Sequence, residues 1–80
     1  MSKHNQALGR VLRQQRIKLG LSQQTLAMIS GLDRTYISLL ELGQKSPTLQ
    51  TMYSLCRALN VMFPAFAHWI DDALADDETA

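Results

Sequence analysis

Eighty residues suffice for one domain, and an apolar fraction of 46% against 19% charged describes a globular chain rather than a disordered one. No apolar run is long enough for a membrane helix, the opening Met1-Ser2-Lys3-His4-Asn5-Gln6 has no apolar signal core, and the single Cys56 cannot form an internal disulfide, so a reduced, cytoplasmic home away from membranes is expected. The net charge of +1 conceals an asymmetry: residues 1–57 hold all eight basic residues against Asp33 and Glu41, a balance of +6, while residues 58–80 hold five acids and no base, a balance of −5, which suits a basic body to an anionic partner.

Five helices are predicted, and no strand. The first runs from about Asn5 to Leu19, with Leu8, Val11, Leu12 and Leu19 on an apolar stripe completed by Gln15. Gly20 ends it in a left-handed conformation. Ser22 caps a second helix over Gln23–Ile29, which Gly31 stops; Asp33 caps a third over Arg34–Leu42, which Gly43 stops. After a polar loop, Gln44–Pro47, Thr48 caps a fourth helix over Leu49–Leu59, with Leu49, Met52, Tyr53, Cys56 and Leu59 expected inward and Asn60 as the stop. Pro64 sits where a first-turn proline is tolerated, so the fifth helix is expected over Phe63–Leu74. The core then spans about 5–74 of a single domain, and the acidic tail 75–80 is expected to fray.

The informative stretch is Gln23–Leu42. Ala27 falls where the second and third helices come closest, Gly31 falls in the turn between them, and Leu26, Leu32, Ile37 and Leu40 fall at spacings that bury them. This is the spacing of a helix-turn-helix, whose second helix enters the major groove. With Ile37 and Leu40 inward, Arg34, Thr35, Ser38 and Leu39 face out. Arg34 can pair bidentately with guanine and Thr35 can hydrogen-bond or place its methyl on thymine, so both are expected to contact bases. The hydroxyls of Tyr36 and Ser38 suit phosphate oxygens. Gln23 opens its helix, where its amide and the free backbone N–H groups can hold a phosphate. Arg13 reads equally as a phosphate contact or as part of a solvated helix face.

The residues Leu12-Arg13, Arg16, Gly20-Leu21-Ser22-Gln23, Leu26-Ala27, Gly31-Leu32, Ile37-Ser38, Glu41, Gly43, Pro47, Leu49 and Ala58-Leu59-Asn60-Val61 carry a resemblance to the phage-repressor-like (Xre-type, Cro/cI-like) helix-turn-helix family over about residues 5–66. The run Leu32–Ser38 also resembles the recognition helix of restriction–modification controller proteins. The resemblance implies an all-α, compact five-helix bundle of the lambda-repressor-like type that reads double-stranded DNA with the helix over 33–42. It implies that Gln23 holds a phosphate, that the loop carrying Lys45 rides on the DNA backbone, and that Arg16 and Glu41 form an internal ion pair tying the first helix to the third.

Two apolar stripes are expected on the fifth helix, one through Phe63, Phe66, Ala67, Ile70 and Leu74, the other through Met62, Phe66, Trp69 and Ala73. A second stripe is too apolar to leave in water, so a homodimer interface is expected among Phe63, Phe66, Trp69 and Ile70, matching a two-fold inverted-repeat operator. The combined expectation is a sequence-specific transcriptional regulator such as a repressor, with no cofactor, no metal site and no small-molecule effector. An antitoxin-like or adaptor module using the fifth helix is the competing reading, and exposed Arg34-Thr35 argues for DNA over it. No enzyme constellation is present: His4 and His68 lack ligand partners at metal spacing, and Cys56 reads as a buried small apolar residue.

Overall fold

The computed structural model describes residues 2–79, with side chains described through Asp77. It contains α1 (Lys3–Lys18), α2 (Gln23–Ser30), α3 (Arg34–Glu41), α4 (Leu49–Ala58) and α5 (Phe63–Thr79), and no strand among the described residues. The protein is therefore all-α, and each interior boundary falls on a residue whose chemistry stops or starts a helix.

Neutral hydroxyls open α2 and α4 by the same device. Ser22 Oγ accepts from the Thr25 N–H at 3.0 Å, and Thr48 Oγ1 accepts from the Thr51 N–H at 3.1 Å. An anionic cap opens α3, where Asp33 accepts from the N–H groups of Thr35 and Tyr36. Gly31, at φ 74°, turns the chain out of α2 in the left-handed region, where a Cβ is strained. Asn60 does the same after α4 at φ 58°, and the Val61 N–H closes the end by donating to the Cys56 carbonyl at 2.9 Å.

The ends of the chain depart from the expected boundaries. Helix α1 begins at Lys3 rather than Asn5, because Ser2 accepts from the N–H groups of His4 and Asn5, and His4 lies within the helix. Helix α5 runs to Thr79 and not to Leu74. Arg10 of α1 reaches across to the Asp77 carboxylate at 2.7 Å and to the Ala73 carbonyl at 3.4 Å, which ties the last turns down. The tail residue Ala80 and the side chain of Glu78 lie outside the described residues.

Each helix packs on at least two others. Helix α1 lies against α3 and α5, α2 against α3 and α4, and α4 against α5. Between them Leu8, Val11, Leu12, Leu26, Ala27, Ile37, Leu40, Leu55, Cys56, Leu59 and Phe66 form one apolar core. Each fully buried leucine or phenylalanine there contributes about 1.5–3 kcal/mol of transfer free energy. Among the described residues no buried side-chain nitrogen or oxygen lacks a partner.

The inner face of α4 differs from the expected one. Met52, Leu55, Cys56 and Leu59 form the strip that meets the core, with Leu55 fully buried, whereas Leu49 is 66% exposed and Tyr53 50% exposed. The two spacings of three and four residues allow either strip, and the docking of α4 on α2 selects the one centred on Leu55. Leu19, expected on the α1 stripe, is half exposed because the helix has ended and it serves as the C-cap. No helix among the described residues is long and apolar enough to cross a membrane.

Candidate nucleic-acid interface

Helices α2 and α3 cross through the turn at Gly31, with Ala27 buried at the crossing and Leu26, Ile37 and Leu40 sealed beneath it. Leu32 packs half-buried under the turn. Because Ile37 and Leu40 face the core, helical periodicity turns Arg34 and Thr35 to the surface, where both are exposed. Gln23, Arg34, Thr35 and Ser38 line one surface notch, so the first residue of α2 stands beside the outer face of α3.

The two helix starts are electrostatically unlike. The N–H groups opening α3 are occupied by the Asp33 carboxylate, which repels a phosphate. The start of α2 carries only the neutral Ser22 hydroxyl, bonded to Thr25, so the first N–H groups remain open beside Gln23 at the positive end of the helix dipole.

Below the notch lies an ordered polar network. Arg16 Nε donates to Glu41 Oε2 at 2.6 Å and Arg16 Nη2 to Glu41 Oε1 at 2.9 Å, a two-pronged pair whose side chains are 12% and 4% exposed. The third guanidinium nitrogen, Nη1, donates to the Leu21 carbonyl at 2.8 Å. Gln23 Nε2 donates to Glu41 Oε1 at 3.1 Å. The Glu41 hydrogen bonds hold the Arg16 pKa above the ordinary arginine value, against the opposing pull of burial.

The basic residues sort into two kinds. Arg10 and Arg16 are spent on internal carboxylates. Arg13, Arg34 and Lys45 are exposed, and their side chains make no hydrogen bond or ion pair among the described residues. Arg13 lines a second depression with Arg16, Gln23, Ser38, Glu41 and Leu42, adjoining the notch. Its three-residue spacing from Arg16 is the sequence signal for that position. Lys45 stands apart on the loop after α3, and Tyr36 leans half-buried onto the core rather than lining the notch.

The residues expected at a dimer interface differ in exposure. Phe66 is 0% exposed and belongs wholly to the core of the chain, so it has no surface to offer a partner. Trp69 and Ile70 are half-buried against that core. Phe63 is half-buried with its ring 4.7 Å from that of Tyr53, and beside them Met62 is 75% exposed. Tyr53, Met62, Phe63 and Pro64 line an open groove between α4 and α5. An open apolar surface lies at the α4–α5 junction, where Leu49, Tyr53 and Met62 are half or more exposed.

No group of three or more His, Cys, Asp or Glu residues that could hold a metal ion occurs among the described residues. His68 is exposed and sits 3.5 Å from Asp72 one helical turn on.

Comparison with known proteins places this arrangement. The helix-turn-helix family matches residues 12–63. The chain is similar to the control protein C.SmaI of Serratia marcescens, with 50% identity over 44 residues covering 55% of this chain and 52% of that protein. It spans about half the length of the curated relatives it matches. Among solved structures it is similar to the restriction–modification controller protein C.AhdI from Aeromonas hydrophila, at 39% identity and TM-score 0.76 over 78% of this chain and 94% of that one. It is also similar to the controller protein C.Esp1396I, solved as a tetramer with its natural 35 base-pair operator, at 27% identity and TM-score 0.87 over 94% of this chain and 99% of that one. The chain belongs to the helix-turn-helix family, and restriction–modification controllers are among its relatives there.

Proposed function

We propose that this chain is a sequence-specific double-stranded DNA-binding transcriptional regulator of the controller type, acting in the cytoplasm as a homodimer on an inverted-repeat operator. The observation that carries the reading is the notch shared by Gln23, Arg34, Thr35 and Ser38, with Arg34 free of internal partners on the outer face of α3. In this reading α3 lies in the major groove. Arg34 and Thr35 meet base edges, while Gln23, Ser38 and Lys45 meet the phosphate backbone. Tyr36 keeps its hydroxyl for a phosphate at the edge of the groove.

The operator-bound tetramer of C.Esp1396I supports a multimer on DNA. The surface most suited to the second copy is the α4–α5 face made by Leu49, Tyr53, Met62 and Phe63, where large apolar side chains stand in water. Trp69 and Ile70 extend it only through the parts their own core leaves uncovered.

Selection of bound duplexes from a random DNA library tests the reading. An enriched inverted repeat with half-sites about one duplex turn apart is expected. A single enriched half-site would remove the dimer, and no enrichment by folded protein would remove the DNA reading.

A further inference from the structure

We infer that Glu41 is a positioning residue for Gln23: it fixes the glutamine amide in advance, with its second N–H left for DNA. The inference rests on the DNA-binding reading above and assigns a second task to a residue otherwise spent on an ion pair.

Three bonds converge on the Glu41 carboxylate. Oε2 receives Arg16 Nε, and Oε1 receives both Arg16 Nη2 and Gln23 Nε2. The guanidinium also holds the Leu21 carbonyl, one residue ahead of the Ser22 cap. A single arginine thus references both the backbone that leads into α2 and, through Glu41, the side chain of the first residue of α2. The carboxylate dictates the amide's orientation. A flipped amide would set the Gln23 carbonyl against an anion 4% exposed to water, where repulsion is little screened. The amide nitrogen therefore faces Glu41.

What remains is chemically definite. An amide nitrogen carries two hydrogens, and one is given to Glu41. The other N–H and the carbonyl oxygen are left. Gln23 lines both the depression that contains Glu41 and the notch that contains Arg34 and Thr35. Anchored on one side, it offers its second N–H on the other, as a donor to a phosphate oxygen. A free glutamine would have to lose its rotamer freedom on binding DNA, and here the network removes that freedom beforehand. Gln24, the next residue, is exposed and has no such anchor.

The test is a double-mutant cycle on affinity for the selected operator, using Gln23→Ala, Glu41→Gln and the pair, together with side-chain amide NMR of the wild-type protein without DNA. Gln23→Ala and Glu41→Gln should each weaken binding by roughly two- to tenfold, and the pair by about as much as Gln23→Ala alone. In the wild type, the Gln23 amide should be ordered and shifted by the carboxylate while that of Gln24 moves freely. Additive losses in the cycle, or a Gln23→Ala protein that binds its operator as the wild type does, would overturn the inference while leaving DNA recognition intact. If Glu41→Gln does not fold, the spectrum decides: a Gln23 amide as mobile as that of Gln24 would overturn it. Failure of the wild type to select any operator is a separate result, and removes the DNA reading itself.

Discussion

Gly9 in the middle of α1 rests on the carbonyl of Glu41 at the end of α3: a Cβ built on Gly9 would stand 2.5 Å from that oxygen and 2.6 Å from the Leu40 carbonyl. Both neighbours are backbone, so neither can swing aside. Two effects compete when Gly9 becomes alanine. Helix propensity favours alanine by about 1 kcal/mol, and the clash costs about 1–3 kcal/mol or more, because helices α1 and α3 must part. The clash wins. Gly9→Ala is expected to lower the urea midpoint, and a variant as stable as the wild type would show that the two helices do not touch there in solution.

The pair that this contact brings into register has its own energetics. Arg16 and Glu41 are both largely removed from water, and each satisfies the other on two bonds. Arg16→Ala leaves a buried carboxylate with only Gln23 to stabilise it, and is expected to cost about 3–5 kcal/mol. The double variant Arg16→Met/Glu41→Leu should recover part of this, since no unpaired charge stays buried. Chemical unfolding of the three proteins checks both statements. An Arg16→Ala protein with unchanged stability and weakened DNA binding would make Arg16 a contact residue instead.

These two residues also show how far the sequence can be read. The caps Ser22, Asp33 and Thr48, the stop at Gly31 and the inward Ile37 and Leu40 follow from local chemistry and periodicity, so α2, α3 and the start of α4 were legible. Gly9 was not, because its requirement comes from α3, distant in sequence, and a mid-helix glycine has no local signature. The strip of α4 was misassigned for a related reason: Leu49-Tyr53 and Leu55-Cys56 both fit a helical face, and only the position of α2 and α5 chooses. The length of α5 depends on Arg10 reaching Asp77 from another helix. In the site, Arg34 and Thr35 were accessible from the pattern, whereas the bond from Gln23 to Glu41 joins two helices and has no sequence signal of its own.

Cys56 supplies a pH dependence. Burial pushes its thiol pKa up, so the folded chain holds the proton to higher pH than the unfolded chain does. Between the two values the folded state binds more protons, and stability falls as pH rises. The contribution is intact below the unfolded thiol value and is lost progressively as pH rises from there through the raised folded value. Unfolding midpoints at neutral and alkaline pH, for wild type and Cys56→Ala, isolate this part, since all other groups are shared. The wild type should lose more on going alkaline. A thiol reagent should label the native protein slowly and the unfolded protein fast.

A charge placed on the α4–α5 face tests the second copy. Met62 is 75% exposed beside Tyr53 and Phe63, so Met62→Glu should leave the protomer fold intact. If that face joins two protomers, the glutamate must be buried on association, and the dimer should weaken by about tenfold or more. Met28, on α2 and 74% exposed, is the control: Met28→Glu should leave association unchanged. Sedimentation of the three proteins decides. Equal association of wild type and Met62→Glu would move the interface elsewhere.

Arg34 and Lys45 are both exposed and unpaired, yet they stand in different surroundings and should fail differently. Arg34 lines the notch on α3 with Thr35, the face proposed above to meet base edges. Lys45 lies on the loop after α3, away from the notch. Arg34→Ala is expected to cost about 1–3 kcal/mol on the preferred operator and to relax selection at one base pair of each half-site. Lys45→Ala should weaken binding to all duplexes alike and reduce the slope of log affinity against log salt by about 0.9 for each phosphate released. Binding isotherms at several salt concentrations, on the operator and on a scrambled duplex, separate the two effects. Equal losses on both duplexes for Arg34→Ala would make it a backbone contact, and would leave Thr35 to carry the base reading.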